Sequence, residues 1–358
     1  MGNIVDYFAC ANTADGLVNY FPSVLKDLEK VYILKGGPGM GKSTMMKKIG
    51  NHFADRGEPV EQIHCSSDPD SLDGVVLRNR KAAVVDGTAP HVVEPSAPGA
   101  VEEYVNLGVA WDERKLKRFR GEILDSGAYI SEQYRRLYDA LRHTKEVFAR
   151  MEALLPEKDD AAQEAENALL QLLFADLPVR ETDGREHHRF FAALTPEGTV
   201  HFWDKLTENC TMRCFLRGGS DLQKSRLLWR VAEESRRRGL ETEMYHCTLN
   251  AERLDMVRIP EIGACVVDSG EPHLFYPERE NDYVLDWNDN EAGNNEEEQG
   301  EILSLLRQEY AESRNHAKTL LYAAHTAHDA LEKIYQPAVD FSVINGLCSV
   351  LIKNIESL

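Results

Sequence analysis

The chain of 358 residues carries 60 acidic against 41 basic side chains, a formal net charge of −19, with 42% apolar and 28% charged residues. That balance is ordinary for a globular protein with room for two domains, and it repels a nucleic-acid backbone, which sets aside general nucleic-acid binding. Seven scattered cysteines, an odd number without a CxxC pair, argue against a disulfide framework and favour a reducing, cytoplasmic setting.

The start, MGNIVDYFACANTADG, has no targeting pattern, and Asp6 stands where a myristoylation signal takes Ser or Thr. No apolar stretch approaches the length that crosses a bilayer, so no membrane is expected. Val31 to Leu34 read as a short buried strand. Directly after it come Gly36, Gly37, Pro38, Gly39, Met40, Gly41, Lys42, Ser43 and Thr44, in which Gly36, Gly41, Lys42 and Ser43 complete the pattern GxxxxGK(S/T). Met45, Met46, Ile49 and Phe53 then recur at helical spacing until Gly57 offers a stop.

Strand, glycine loop and helix follow in the order that a phosphate site requires. Glycines let successive backbone N–H groups turn inward onto phosphate oxygens, and the helix adds its positive end. Lys42 is placed to reach the β- and γ-phosphates and the Ser43 hydroxyl to coordinate magnesium, so the loop is expected to hold ATP or GTP with magnesium.

The next segment, VEQIHCSSDPDSLDGV, contains a strand ending near Cys65 that opens into a loop carrying Ser66, Ser67, Asp68, Asp70 and Asp73. Strand ends at this edge of a parallel sheet face the ligand, so Asp68 or Asp70 is a candidate to position an attacking water or accept a substrate proton. Equally, Ser67, Asp68 or Asp70 can cap a short helix beginning near Pro69. Ala82 to Val85 read as another buried strand, ending in Asp86, the candidate that holds magnesium together with Ser43. Lys42, Asp86, Asp68 and Asp70 form the expected catalytic set.

Shifted by 182 positions, the sequence matches itself without a gap from 31–95 to 213–277, with about 20 of 65 positions identical. In the second copy Gly218, Gly219, Lys224 and Ser225 persist, but Asp221 replaces Gly39 and Gln223 replaces Gly41. A carboxylate in the cradle opposes an anion and a side chain at the last position obstructs the backbone, so this copy is expected to bind nucleotide weakly or not at all. Arg226, in place of Thr44, offsets part of that charge. Both copies keep His64–Cys65 and His246–Cys247, Asp73 and Asp255, and His91 and His273. A zinc site from His64, Cys65 and His91 is conceivable; buried, hydrogen-bonded side chains are the default.

Each copy continues into helices, expected at 112–153 and 298–335 from their apolar stripes, with further ones at 160–175 and 338–356. The acidic, Asn-rich stretch 278–301 reads as a mobile surface loop. The fold class is therefore α/β: two tandem three-layer domains with mostly parallel sheets, at 1–180 and 181–358, each with a helical extension.

GGPGMGKST with Asp86 resembles the P-loop NTPase superfamily, and the tandem arrangement, with HCSSDPDSLDGV in the first copy and RIPEIGACVVDSGEPH in the second, resembles a little-characterised bacterial group of ATPase-like proteins sometimes described as nucleotide kinases. The resemblance implies ATP binding on a three-layer α/β fold and names no substrate. The leading expectation is an ATPase with one competent site, the second copy supplying a partner surface and an arginine toward the γ-phosphate, with Arg217 and Arg226 as candidates. The alternatives are a small-molecule or nucleotide kinase using the helices as acceptor pocket, and a nucleotide-dependent switch with little turnover. An unidentified protein or small-molecule partner fits each of these.

Overall fold

The computed structural model describes residues 2–154, 160–271, 273–287 and 296–358. In chain order the first copy comprises β1 (Ile4–Tyr7), β2 (Cys10–Thr13), β3 (Gly16–Asn19), α1 (Phe21–Val24), β4 (Lys30–Lys35), α2 (Lys42–Ala54), β5 (Val60–Cys65), β6 (Asp68–Leu77), β7 (Ala82–Asp86), β8 (Glu102–Asn106), α3 (Glu113–Arg118), α4 (Arg120–Glu152) and α5 (Asp160–Phe174). The second repeats the plan with β9 (Glu186–Arg189), β10 (Ala192–Thr195), β11 (Gly198–His201), α6 (Trp203–Thr207), β12 (Met212–Arg217), α7 (Asp221–Arg237), β13 (Thr242–His246), β14 (Leu254–Ile259), β15 (Ala264–Asp268), β16 (Asp282–Asp286), α8 (Glu296–Tyr335) and α9 (Phe341–Glu356).

Two six-stranded sheets result, ordered β1-β5-β6-β7-β4-β8 and β9-β13-β14-β15-β12-β16. Each is parallel except for one strand, β6 or β14, which runs antiparallel to both neighbours. The glycine-loop strand β4 lies between β7, which ends in Asp86, and β8. Its apolar KVYILK run, buried at Val31 to Leu34, suits this central position.

Among the described residues the long helices α2, α5, α7 and α9 cover the outer faces of the sheets, and the inner faces meet only the short α1 and α6. The inner faces share one core, in which Ile33, Ile63 and Val85 of the first sheet meet the same cluster as their equivalents Phe215, Tyr245 and Val267 of the second. The two sheets thus use each other where separate three-layer domains would each need helices on both faces.

The outer layers are exchanged between the copies. α9, from the end of the chain, buries Ile344, Cys348, Leu351 and Ile355 with Tyr32, Leu34 and the apolar side of α2 in the first copy. Reciprocally, α5 buries Leu169, Leu173 and Phe174 with Cys214, Leu216 and α7 of the second. The long helices α4 and α8 run antiparallel across the junction, pairing Thr144 with Ser313 and Phe148 with Tyr310. The boundary expected near residue 180 falls between α5 and β9 and so separates each of these helices from the sheet it covers.

Two local expectations are corrected. Residues 68–77 form strand β6 and no helix begins near Pro69; the expected loop is confined to the turn at Ser66–Ser67 and a bulge at Pro69 to Ser71, while the apolar LDGVVL segment pairs on both sides, with β5 and β7. Within 278–301, expected as one loop, Asp282–Asp286 is the edge strand β16 and α8 begins at Glu296, while 288–295 lie outside the described residues. Among the described residues no helix is long and apolar enough to cross a membrane.

Candidate functional site

The carboxyl end of β4 delivers the chain to Gly36, and the loop closes on α2 with Gly41 as its N-cap. Gly39 and Gly41 have φ of +66° and +80°, the left-handed region that costs a side-chain-bearing residue about 1–2 kcal/mol. The turn brings Lys42 back over its own loop: Nζ donates to the Gly36 and Gly37 carbonyls at 2.9 and 3.0 Å and lies 3.5 Å from Asp86 Oδ2. Asp86 Oδ1 accepts from the Thr88 amide at 2.8 Å and its hydroxyl at 2.6 Å, which fixes the carboxylate beside the lysine. Ser43 Oγ accepts from the Leu72 amide at 3.0 Å, tying the start of α2 to β6.

A cavity of about 760 Å³ opens over this loop, lined by every residue from Gly36 to Thr44 and by Asp86. Asp68 lines it and Asp70 does not, being exposed. The cause is an irregular hairpin: Cys65 pairs with Asp68 and His64 with Leu72, so Pro69 to Ser71 loop out and strand alternation is lost. Asp73, buried, takes a place in the wall, with His91 Nε2 at 3.3 Å in a charge contact. Burial by itself would lower the His91 pKa; the Asp73 carboxylate outweighs it and raises it.

Most of the roof comes from the other half of the chain. Ala324, His325, His328 and Glu332 lie along one side of α8 and line the cavity, with Gln336 just past its end, Phe341 at the start of α9, and Ile130 and Tyr134 of α4 from the first half. The fit is close: a Cβ on Gly39 would stand 3.0 Å from the Glu332 carbonyl oxygen, and one on Gly37 3.0 Å from the Tyr335 ring. The Tyr134 hydroxyl is bonded to Ser67 Oγ at 2.7 Å.

The second cradle has the same frame and a different filling. Ser225 Oγ accepts from the Leu254 amide at 3.0 Å, as Ser43 does from Leu72, but Lys224 Nζ is held between Asp221 at 2.8 Å and Asp268 at 2.6 Å. Asp221 therefore sits as an internal anion on the lysine. Loop amides are also occupied: Ser220 N donates to Gln223 Oε1 at 3.1 Å, Gln223 N to Ser220 Oγ at 3.3 Å, and Leu222 N to Glu152 Oε1, from the end of α4, at 3.2 Å. In the first loop the one side-chain acceptor of a loop amide among the described residues is the Met40 sulfur, 3.2 Å from Gly37 N. Burial, then the neighbouring Asp221 charge, pushes the Asp268 carboxyl up to about 7.

The structure thus brings together Gly36 to Thr44, Asp86 and Asp68 and leaves Asp70 outside. Arg217 and Arg226 do not line the cavity; the Arg217 guanidinium lies over the Tyr276 ring at 5.4 Å and Arg226 is exposed. His64 is committed to Asp6 Oδ1 at 2.7 Å and the Pro69 carbonyl at 2.8 Å, and burial and Asp73 push the Cys65 thiol up. Among the described residues no group of three His, Cys, Asp or Glu side chains could hold a metal ion, so the zinc site from His64, Cys65 and His91 does not form. The α8 and α9 wall residues went unrecognised, because helical periodicity marks an apolar stripe but not the loop, some three hundred residues away, that the other side covers.

Comparison of the chain with protein-family models, with curated proteins and with solved structures finds no match.

Proposed function

We infer that the chain binds one nucleoside triphosphate, ATP or GTP, with magnesium in the loop Gly36–Thr44 and hydrolyses it. The observation that carries this reading is the contrast between two equivalent lysines. Lys224 is 2% exposed and clamped by two carboxylates at 2.8 and 2.6 Å, whereas Lys42 rests on carbonyls at the floor of a cavity with one carboxylate, Asp86, more distant at 3.5 Å, which leaves it available to an anion. A glycine loop ahead of a helix, in which among the described residues only the Gly37 amide has a side-chain acceptor, supplies the rest of an anion cradle.

Ser43 and Asp86 would hold the magnesium. A hydroxyl and a carboxylate suit a hard cation that takes its remaining ligands from phosphate oxygens and water. Held by these two side chains, magnesium would supply positive charge against the phosphates. Lys42 then binds and orients the terminal phosphates, and Asp68 or Asp73 is placed to orient water or accept its proton. The α8 roof keeps bulk solvent from the phosphates.

A kinase is the second reading, favoured by the cavity's extension past the loop to Cys10, Leu17, Ser66 and Ser67, where a small acceptor has room. Phosphate release by the full chain with ATP or GTP and magnesium, alone and with a metabolite panel, separates hydrolase, kinase and non-hydrolysing switch. Turnover and binding are both expected to vanish in Lys42→Ala, and titration to saturate at one nucleotide per chain. Strong turnover in that variant, or two equivalent sites, would overturn the assignment.

A further inference from the structure

We propose that Phe341, carried by the C-terminal half, is the shelf on which the nucleobase stacks, so that the first-copy site takes its base recognition from the far end of the chain. This rests on the reading of Gly36–Thr44 as a triphosphate cradle. Once the phosphates lie on that loop, the two directions out of it differ in chemistry. One is enclosed and acidic, with Asp73, Asp86 and His91, and suits magnesium and the terminal phosphate. The other leaves past Gly41 and Thr44 between the starts of α2 and α9, and Phe341 stands there.

The position of the ring is set by the packing of α9. Ile344, Cys348, Leu351 and Ile355 make its buried stripe, and Asn345 accepts from Lys48 at 2.9 Å, which holds α9 alongside α2. Phe341 continues that stripe to the start of α2, where it is 42% exposed and lines the cavity, with its ring edge 3.7 Å from where a Gly41 Cβ would be. A large apolar ring left partly uncovered beside an anion cradle has the chemistry of a stacking surface. Of the other rings on the cavity wall, Tyr134 has its hydroxyl tied to Ser67 and lies within the α4–α8 packing, and His91, His325 and His328 each face a carboxylate, Asp73, Asp329 and Glu332, at 3.3, 3.6 and 3.8 Å. Stacking accepts any base with a π-face, and Gln336, on the cavity wall beside Gly39, carries an amide that can both donate and accept. ATP and GTP therefore bind alike.

The test titrates the full chain, Phe341→Leu and Phe341→Trp with ATP, GTP and inorganic tripolyphosphate, each with magnesium. Leucine keeps the apolar volume and removes the π-face. It is expected to weaken ATP and GTP about tenfold and to leave tripolyphosphate unchanged, with tryptophan restoring the loss. ATP affinity unaltered in Phe341→Leu, or tripolyphosphate weakened as much as ATP, would overturn the shelf while leaving the cradle intact. Failure of the parent chain to bind either ATP or tripolyphosphate, or undiminished binding in Lys42→Ala, would overturn the cradle and the shelf together.

Discussion

The main chains of Phe8 and Phe190 exchange two hydrogen bonds, each of 2.9 Å, at the point where a residue meets its own equivalent 182 positions later. A contact between equivalent positions lies on the twofold axis that relates the copies, and the shared core, the α4–α8 pair and the exchanged α5 and α9 are all disposed about it.

Next to that axis, Glu61 accepts from Tyr7 at 2.6 Å and from Arg78 at 2.9 Å and lies 3.4 Å from Arg189 of the other copy. Burial alone would raise its carboxyl; the Arg189 and Arg78 charges outweigh this and hold it down to about 2, from 4.5. A carboxyl depressed in the folded state stabilises above its unfolded pKa and loses that contribution as pH falls through the folded one. Between about pH 4.5 and pH 2 the chain should lose on the order of 3 kcal/mol from this group. Urea denaturation in that window is expected to be less pH-dependent in Glu61→Gln, and an identical acid slope would disprove the assignment.

The two cradle lysines should part in their effect on stability. Lys224→Met leaves Asp221 and Asp268 buried without their cation and is expected to cost about 3–5 kcal/mol at pH 8. The cost should shrink as pH falls below the raised pKa of Asp268, where the carboxyls take up protons. Lys42→Ala, at a cavity floor with Asp86 still bonded to Thr88, should cost on the order of 1 kcal/mol at either pH. Comparable losses in both variants would argue that the first cradle is structural as well.

Gly39→Ala puts a methyl group both in a left-handed conformation and 3.0 Å from the Glu332 carbonyl of α8. Gly57→Ala, at φ +84° with open space around it, carries the backbone cost alone, about 1–2 kcal/mol. Thermal melting should therefore show a larger loss for Gly39→Ala, accompanied by weaker triphosphate binding. Equal melting shifts would mean that α8 does not press on the loop.

Leu351→Ala in α9 should destabilise the chain by about 2–5 kcal/mol, as expected of a buried leucine, while Val350→Ala, 52% exposed, should stay within about 0.5 kcal/mol. Hydrogen exchange provides the finer check. Protection is expected to fall in β4 and α2 of the first copy, whose core Leu351 completes, and not in α7 of the second.

The elements that one physical signal dominates were legible in the sequence. β4, α2 and β7 follow from apolar runs and glycine punctuation, and the long helices from stripes of period near 3.6. β6 was hidden because DPDS reads as turn chemistry, and the register break at His64 makes that reading half right: Pro69 to Ser71 do bulge, but within a strand. The cradle's glycines, Lys42, Ser43 and Asp86 were named because their chemistry is local. Glu332, Gln336 and Phe341 were not, since their place on the cavity wall depends on where α8 and α9 pack, and periodicity carries no information about that.

Exchange of α5 and α9 gives the fused chain the geometry of an interlocked homodimer. In a true homodimer every substitution appears on both sides of the axis, so a loop could not gain Asp221 and Gln223 in one cradle without losing Gly39 and Gly41 in the other. Writing both copies into one polypeptide lifts that constraint. The interlock is kept, and each cradle becomes free to acquire its own mutational history.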